Sequence, residues 1–137
     1  QTLKTVPDQP VAMNNLANLL LDQGANRPEA AKEAIGLARR VRQALPNSPA
    51  AADTLGWAYY HAKDYDRALE LLEEAKRYLA RDPSIRYHLA MVLCARAEPE
   101  KARTELEESL GFGIKFPESD KARALLQNIG KGTPARN

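Results

Sequence analysis

A single cysteine cannot close an internal disulfide, and one thiol beside two histidines is a thin inventory for a metal centre. Charge of one sign is not in excess either: 20 Lys and Arg against 18 Asp and Glu leave a formal +2. Nucleic-acid binders usually carry a strong, clustered basic surplus, so the balance gives that class no support. No apolar run approaches the roughly 18–20 residues of a membrane helix. Asn-Gly and Asp-Gly dipeptides are missing, as are alternating polar and apolar stretches, which argues against β-hairpins. The sequence starts at Gln1 without a charged-then-apolar leader, and it is expected to be a piece of a longer protein. What is present is ordinary for one folded domain: 137 residues, 44% hydrophobic and 28% charged.

The nine prolines supply the first order. Pro49, Pro83 and Pro117 follow one another at intervals of 34 residues. Proline is tolerated in a helix's first turn and damaging inside it, so prolines in phase predict helix starts in phase. Between the breakers, apolar residues recur at i, i+3, i+4 and i+7, predicting helices at 11–22, 28–44, 50–62, 66–80, 84–96, 99–110 and 118–129. The expected fold is all-α, built of antiparallel helix pairs.

A fixed period calls for a test for internal repeats. Counting from Pro49 and Pro83, position seven is Leu55 and Leu89, eight is Gly56 and Ala90, and eleven is Tyr59 and Leu93. Position twenty is Ala68 and Ala102, and twenty-four is Leu72 and Leu106. The stretch from Pro10 fits with Leu16, Ala17 and Leu20, then Ala31, Ile35 and Ala38. Its five extra residues fall around Ala25–Pro28 and after Pro46, at loops that tolerate insertion. Small residues at eight and twenty let two backbones approach, while large ones at seven, eleven and twenty-four fill the flanks. One pair alone buries only part of its apolar surface, so neighbouring pairs must stack.

These residues resemble the tetratricopeptide repeat, best in Leu55-Gly56-Trp57-Ala58-Tyr59, Asp64-Tyr65-Asp66-Arg67-Ala68, Leu72 and Ala75. The resemblance implies an α-solenoid: repeats at 10–48, 49–82 and 83–116, a cap helix at 117–130, a preceding repeat or linker at 1–9 and a flexible tail at 131–137. Ala80 departs from the family's common proline, and Pro99 from its usual aromatic. More narrowly, Asp53 to Trp57, Arg86 to Ala90 and Phe116-Pro117-Glu118 resemble bacterial repeat proteins of exopolysaccharide-export and exosortase loci. That narrower likeness would imply a periplasmic location; without it the compartment is undetermined.

In the family's arrangement the first helix of each pair lines a concave groove. Carried over by position, the candidate contacts for a peptide or partner protein are Asn14, Asn18, Leu21, Asp53, Trp57, Tyr60, His61, Tyr87, Met91 and Cys94. Asp53, Trp57 and His61 share one helical stripe whatever the family, being spaced i, i+4, i+8. Trp57, Tyr60, Tyr87 and Met91 make the face apolar and aromatic, the composition of binding hot spots. The same stripe also suits packing on a neighbouring repeat or homo-oligomer formation. A clamp for a C-terminal carboxylate is not expected: Asn18 matches one position, but Asn14, Thr54, Ser84 and His88 stand where a lysine, an asparagine and cations would be needed.

Nothing in the sequence points to catalysis or to a cofactor. His61 and His88 lie 27 residues apart without ligand spacing, Cys94 has no activating base in view, and Gly111 and Gly113 do not follow a strand. Glu73, Glu74, Glu107 and Glu108 read as a solvated face paired with nearby cations. The basic clusters at Arg39-Arg40-Val41-Arg42 and Lys131–Arg136 fall at a helix end and a terminus, and the groove positions hold Asp22 and Asp53 but no cation. The expected role is a non-catalytic protein-interaction module. The alternative is an architectural or self-assembling spacer, with Phe112, Ile114 and Phe116 as a candidate edge.

Overall fold

Prolines open four of the helices. Pro28, Pro49, Pro83 and Pro99 each sit in a first turn, where a missing N–H costs nothing. Ser48 caps one of them by accepting from the Ala51 N–H at 3.1 Å. Asp82 caps another, its Oδ1 accepting from the N–H groups of Ser84 at 2.9 Å and Ile85 at 3.2 Å. Such caps contribute about 1 kcal/mol each. Pro117 breaks the phase and opens no helix directly. The preceding residue is Phe116, which has no side-chain acceptor; its carbonyl instead closes a tight turn with the Ser119 N–H at 3.1 Å, and the helix starts two residues late.

The computed structural model describes residues 9–23 and 27–130. Of the segment expected as a preceding repeat or linker at 1–9, all but Gln9 lies outside them, as do the expected tail at 131–137 and residues 24–26. Among the described residues there is no strand, and the helices are α1 (Gln9–Gln23), α2 (Pro28–Ala44), α3 (Pro49–His61), α4 (Tyr65–Tyr78), α5 (Pro83–Ala95), α6 (Pro99–Gly111) and α7 (Ser119–Gly130). Each bound falls within two residues of the expected one. The fold is an all-α solenoid of helical hairpins with a C-terminal cap helix. It divides into two units, Gln1–Leu71 and Leu72–Asn137, with α4 running through the boundary.

In the first unit α1 pairs with α2, and α3 packs on both. Ala17, Leu21, Ala34 and Ala58 form the centre, with Leu20, Ile35, Leu37 and Trp57 packed around it. In the second unit α5 pairs with α6, and α7 packs on α6. The small residues of the repeat, Ala17, Ala31, Gly56, Ala68, Ala90 and Ala102, are all buried. So are Leu55, Leu72, Leu89 and Leu106, each stabilising the fold by about 1.5–3 kcal/mol. Leu16 departs from its repeat position: it is 45% exposed, because nothing described covers that side of α1.

The turns after α3 and α5 close without glycine. After α3, the Asp64 N–H donates to the Tyr59 carbonyl and the Lys63 N–H to that of Tyr60, both at 2.9 Å. After α5, the Glu98 N–H donates to Leu93 at 2.9 Å and the Ala97 N–H to Cys94 at 3.0 Å. Both are Schellman caps, with Lys63 and Ala97 in the left-handed region. The second unit also buries an ion cluster. Glu105, 8% exposed on α6, accepts from Lys76 Nζ at 2.8 Å and from Arg86 Nη1 at 3.0 Å. Arg86 also meets Glu108 at 2.6 Å and donates from Nε to the Ala80 carbonyl at 2.8 Å. Two cations thus meet a carboxylate that could not be buried alone, while Glu108 and the Ala80 carbonyl hold Arg86 in place.

Candidate binding surface

Three residues along α3 bring Trp57 and Tyr60 to one side, and their rings stack at 4.7 Å with planes 3° apart. His61 stands edge-on to both, at 4.8 Å from Trp57 and 5.2 Å from Tyr60. Tyr65, opening α4, leans toward Tyr60 at 5.8 Å. All four are half-buried, as is Asp53 one turn upstream. Trp57 rests on the core of the first unit, so its indole is held from beneath and partly open above. Rings fixed by one another lose little conformational freedom when a partner covers them.

On α1, Asn18 is half-buried and its Nδ2 donates to Thr54 Oγ1 at 3.3 Å. Asn14 lies one turn earlier, and its Oδ1 is buried without a hydrogen-bond partner. Leu21 does not join them on an open face. It is 2% exposed in the centre of the first unit, where full burial outweighs any gain from display on a groove.

In the second unit Met91 and Cys94 are half-buried on α5, whereas Tyr87 is only 5% exposed and offers a ligand little area. Its ring leans on His88 at 5.9 Å. Burial pushes the Cys94 thiol up, which keeps it protonated and a poor nucleophile at neutral pH.

A polar cluster that sequence spacing did not reveal lies between α5 and the start of α7. Ser84 Oγ donates to Glu118 Oε1 at 2.8 Å, and His88 Nε2 lies 3.7 Å from Glu118 Oε2. Burial alone would raise the Glu118 carboxyl; the neighbouring His88 imidazole and the hydrogen bond from Ser84 together outweigh it and hold the group below its ordinary value. The carboxylate sits between hydroxyl and imidazole, so His88 takes no proton from Ser84 and the trio does not make a nucleophile. Among the described residues no group of three or more His, Cys, Asp and Glu could hold a metal ion.

Two other features of the surface carry no ligand chemistry. An open hollow of about 270 Å³ between the start of α1 and the end of α2, lined by Gln9, Pro10, Met13, Arg40 and Ala44, is below the usual volume of a small-molecule site. Arg39 and Arg40 are exposed, but Val41 is buried and interrupts the basic run.

The sequence of residues 28–109, more than half of the chain, matches the family described as anaphase-promoting complex, cyclosome, subunit 3. The chain belongs to this family. The match to this subunit 3 family runs from the start of α2 to Ser109 in α6, so it takes in the aromatic cluster and leaves α1 outside. No curated protein matches the sequence. Among solved structures, a mutant of the Thermobaculum terrenum O-GlcNAc transferase is similar over 94% of this chain at 23% identity and a TM-score of 0.74. This chain spans only 23% of that one. The Yersinia enterocolitica type III secretion translocator chaperone SycD is similar at 18% identity and a TM-score of 0.76, with 95% of this chain and 98% of that chain covered. SycD in complex with a peptide of the translocator YopD matches at 16% identity and 0.73, over 95% and 98%. Identities this low establish a shared fold, and the repeat resemblance read from Leu55 to Ala75 agrees with it.

The Phe112–Phe116 segment differs from the expected exposed edge. Arg81 and Arg86 lie over the Phe112 ring at 5.0 and 5.4 Å, and Phe116 is 7% exposed. Ile114 alone of the three is open, at 46%.

Proposed function

We propose that this chain is a non-catalytic protein-interaction module that binds a peptide segment or a partner's surface through the first helices of its repeats, 10–48, 49–82 and 83–116. The observation that carries it is the stacked, half-open pair of Trp57 and Tyr60, seated on the core and bordered by His61 and Asp53. In the first unit Asn14 and Asn18 add amides suited to an extended backbone. Leu21 drops out of the contact set because it is core. In the second unit Met91 and Cys94 supply the partly open positions, and Tyr87 supports them from within. Family membership and the peptide-bound SycD neighbour support a binding role.

A ligand for this surface is apolar or aromatic, because stacked rings reward buried area more than charge. The phrasing of Asp53 to Trp57 and Phe116 to Glu118 supports an origin in a bacterial export locus and a periplasmic site of action. The test is quantitative capture of partners by the wild type and by Trp57→Ala/Tyr60→Ala, matched for thermal stability. A protein held by the first and lost from the second identifies the ligand; equal capture by both overturns the assignment.

A second reading, a self-assembling spacer, is favoured by one observation: Val11, Leu16 and Leu19 of α1 are about half exposed.

A further inference from the structure

The turns between repeats have a composition that the turns within them lack. At the end of α4, Tyr78 is 65% exposed and Leu79 39%; after α6, Ile114 is 46% exposed. Leu45, which follows α2 and precedes Leu79 by 34 residues, is 38% exposed. Outside α1, no other large hydrophobic residue among the described ones is exposed. Exposed cations accompany the later two turns, Arg77 and Arg81 on the first and Lys115 on the second. No acid falls within 77–81 or 111–115. The turns inside the hairpins, 62–64 and 96–98, read Ala-Lys-Asp and Arg-Ala-Glu, mixed in charge and without a large apolar residue.

In the second unit the turns after α4 and α6 lie side by side. The Arg81 guanidinium sits 5.0 Å from the centre of the Phe112 ring. Arg86 lies over the same ring and donates from Nε to the Ala80 carbonyl, which ties the two turns together. The nearby acids are already engaged: Asp82 caps α5, Glu108 meets Arg86, and Glu73 meets Lys76. Arg77, Arg81 and Lys115 form no ion pair among the described residues.

We propose that these two turns are a docking site for an anionic lipid surface. Tyr78, Leu79 and Ile114 enter the headgroup layer, and Arg77, Arg81 and Lys115 meet lipid phosphates. The charge complementarity selects an anionic partner, and the apolar tips select lipid. An acidic protein would need pockets matched to three tips on two turns, whereas the acyl boundary accepts them in any arrangement. Tyrosine is at home at that boundary, and long cationic side chains reach past apolar neighbours to the phosphates. The unit lies on the membrane without crossing it, since no described helix is long and apolar enough to span one. This inference does not rest on the peptide-binding role and uses none of the aromatic cluster on α3.

The test is flotation of the full chain with vesicles of phosphatidylcholine, alone or mixed with phosphatidylglycerol. Each cation at an anionic surface strengthens binding about fivefold, so the mixed vesicles should be favoured by about 100-fold at low salt and far less at high salt. Arg77→Gln/Lys115→Gln should weaken binding by about 25-fold. Leu79→Ser/Ile114→Ser, at sites already exposed, should keep the helical spectrum and weaken binding about tenfold. Lys63→Gln/Lys101→Gln, which removes equal charge near the starts of α4 and α6, should leave binding within about twofold. Equal flotation with both kinds of vesicle overturns the proposal, as does equal flotation of the serine variant and the wild type. An equal loss from the two glutamine variants also overturns it, reducing the effect to adsorption by overall charge. A chain that floats with no vesicle overturns it as well, and leaves the turns to an acidic protein surface.

Discussion

Lys63 and Ala97 hold the same backbone position in successive hairpins, 34 residues apart, with φ of 69° and 62°. Each follows the C-cap residue, two places past the end of its helix, and each directs its N–H and the next one back to the helix carbonyls. Glycine usually fills this place, because a Cβ there costs about 1 kcal/mol or more. Ala97→Gly and Lys63→Gly should therefore each stabilise the chain by about 1 kcal/mol, raising the calorimetric midpoint by about 2–4 °C. An unchanged or lower midpoint would show that the turns store no such strain.

Glu105 should behave as a buried charge rather than a surface acid. Glu105→Ala removes the buried partner that Lys76 and Arg86 share but leaves them Glu73 and Glu108. The cost should therefore fall below the ~3–5 kcal/mol of a fully stranded buried pair, at about 1–3 kcal/mol. Glu107→Ala, on the exposed side of the same helix, should shift the urea midpoint hardly at all. Similar shifts for the two would contradict the burial.

The Glu118 cluster predicts an acid-side loss of stability. Its carboxyl titrates lower in the folded chain than in the unfolded one. The contribution is thus complete above the unfolded value of about 4.3 and fades as pH falls through the lower folded value. In melts from pH 7 to pH 3, Glu118→Gln should lie below the wild type at neutral pH and converge with it in acid. A gap that stays constant across the series would mean that the charge of Glu118 contributes nothing.

Asn14 offers a separation of stability from binding. Its buried, unpartnered Oδ1 carries a desolvation cost of about 1–3 kcal/mol, so Asn14→Leu should raise the melting midpoint. If Asn14 meets the partner's backbone, the same change lowers capture of that partner. Gain in both would remove Asn14 from the contact set.

Much of the helix layout was legible because its signals are local. Pro49 and Pro83 mark helix starts through the missing N–H, and Ser48 and Asp82 cap them from the preceding position. Pro117 misled for the same local reason, since Phe116 cannot cap. The candidate surface was legible only in part. Helical spacing does place Trp57, Tyr60 and His61 together, but spacing is blind to which side a neighbour covers. Leu21 and Tyr87 therefore went to the core, while Leu16 came out of it. The pairing of His88 with Glu118, and that of Lys76 with Glu105, join residues about thirty apart in sequence, and only the packing of separate helices discloses them.

The cap helix sets a limit on assembly. α7 turns Lys121, Arg123, Gln127 and Asn128 to solvent, keeps Leu125 and Leu126 half-covered, and buries Ile129. A face this polar gives another helix little apolar area to stack on, so α7 closes the repeat stack to further association. Replacing Lys121 and Arg123 by leucine would give the cap an apolar face, and light scattering should then rise with concentration where the wild type stays level.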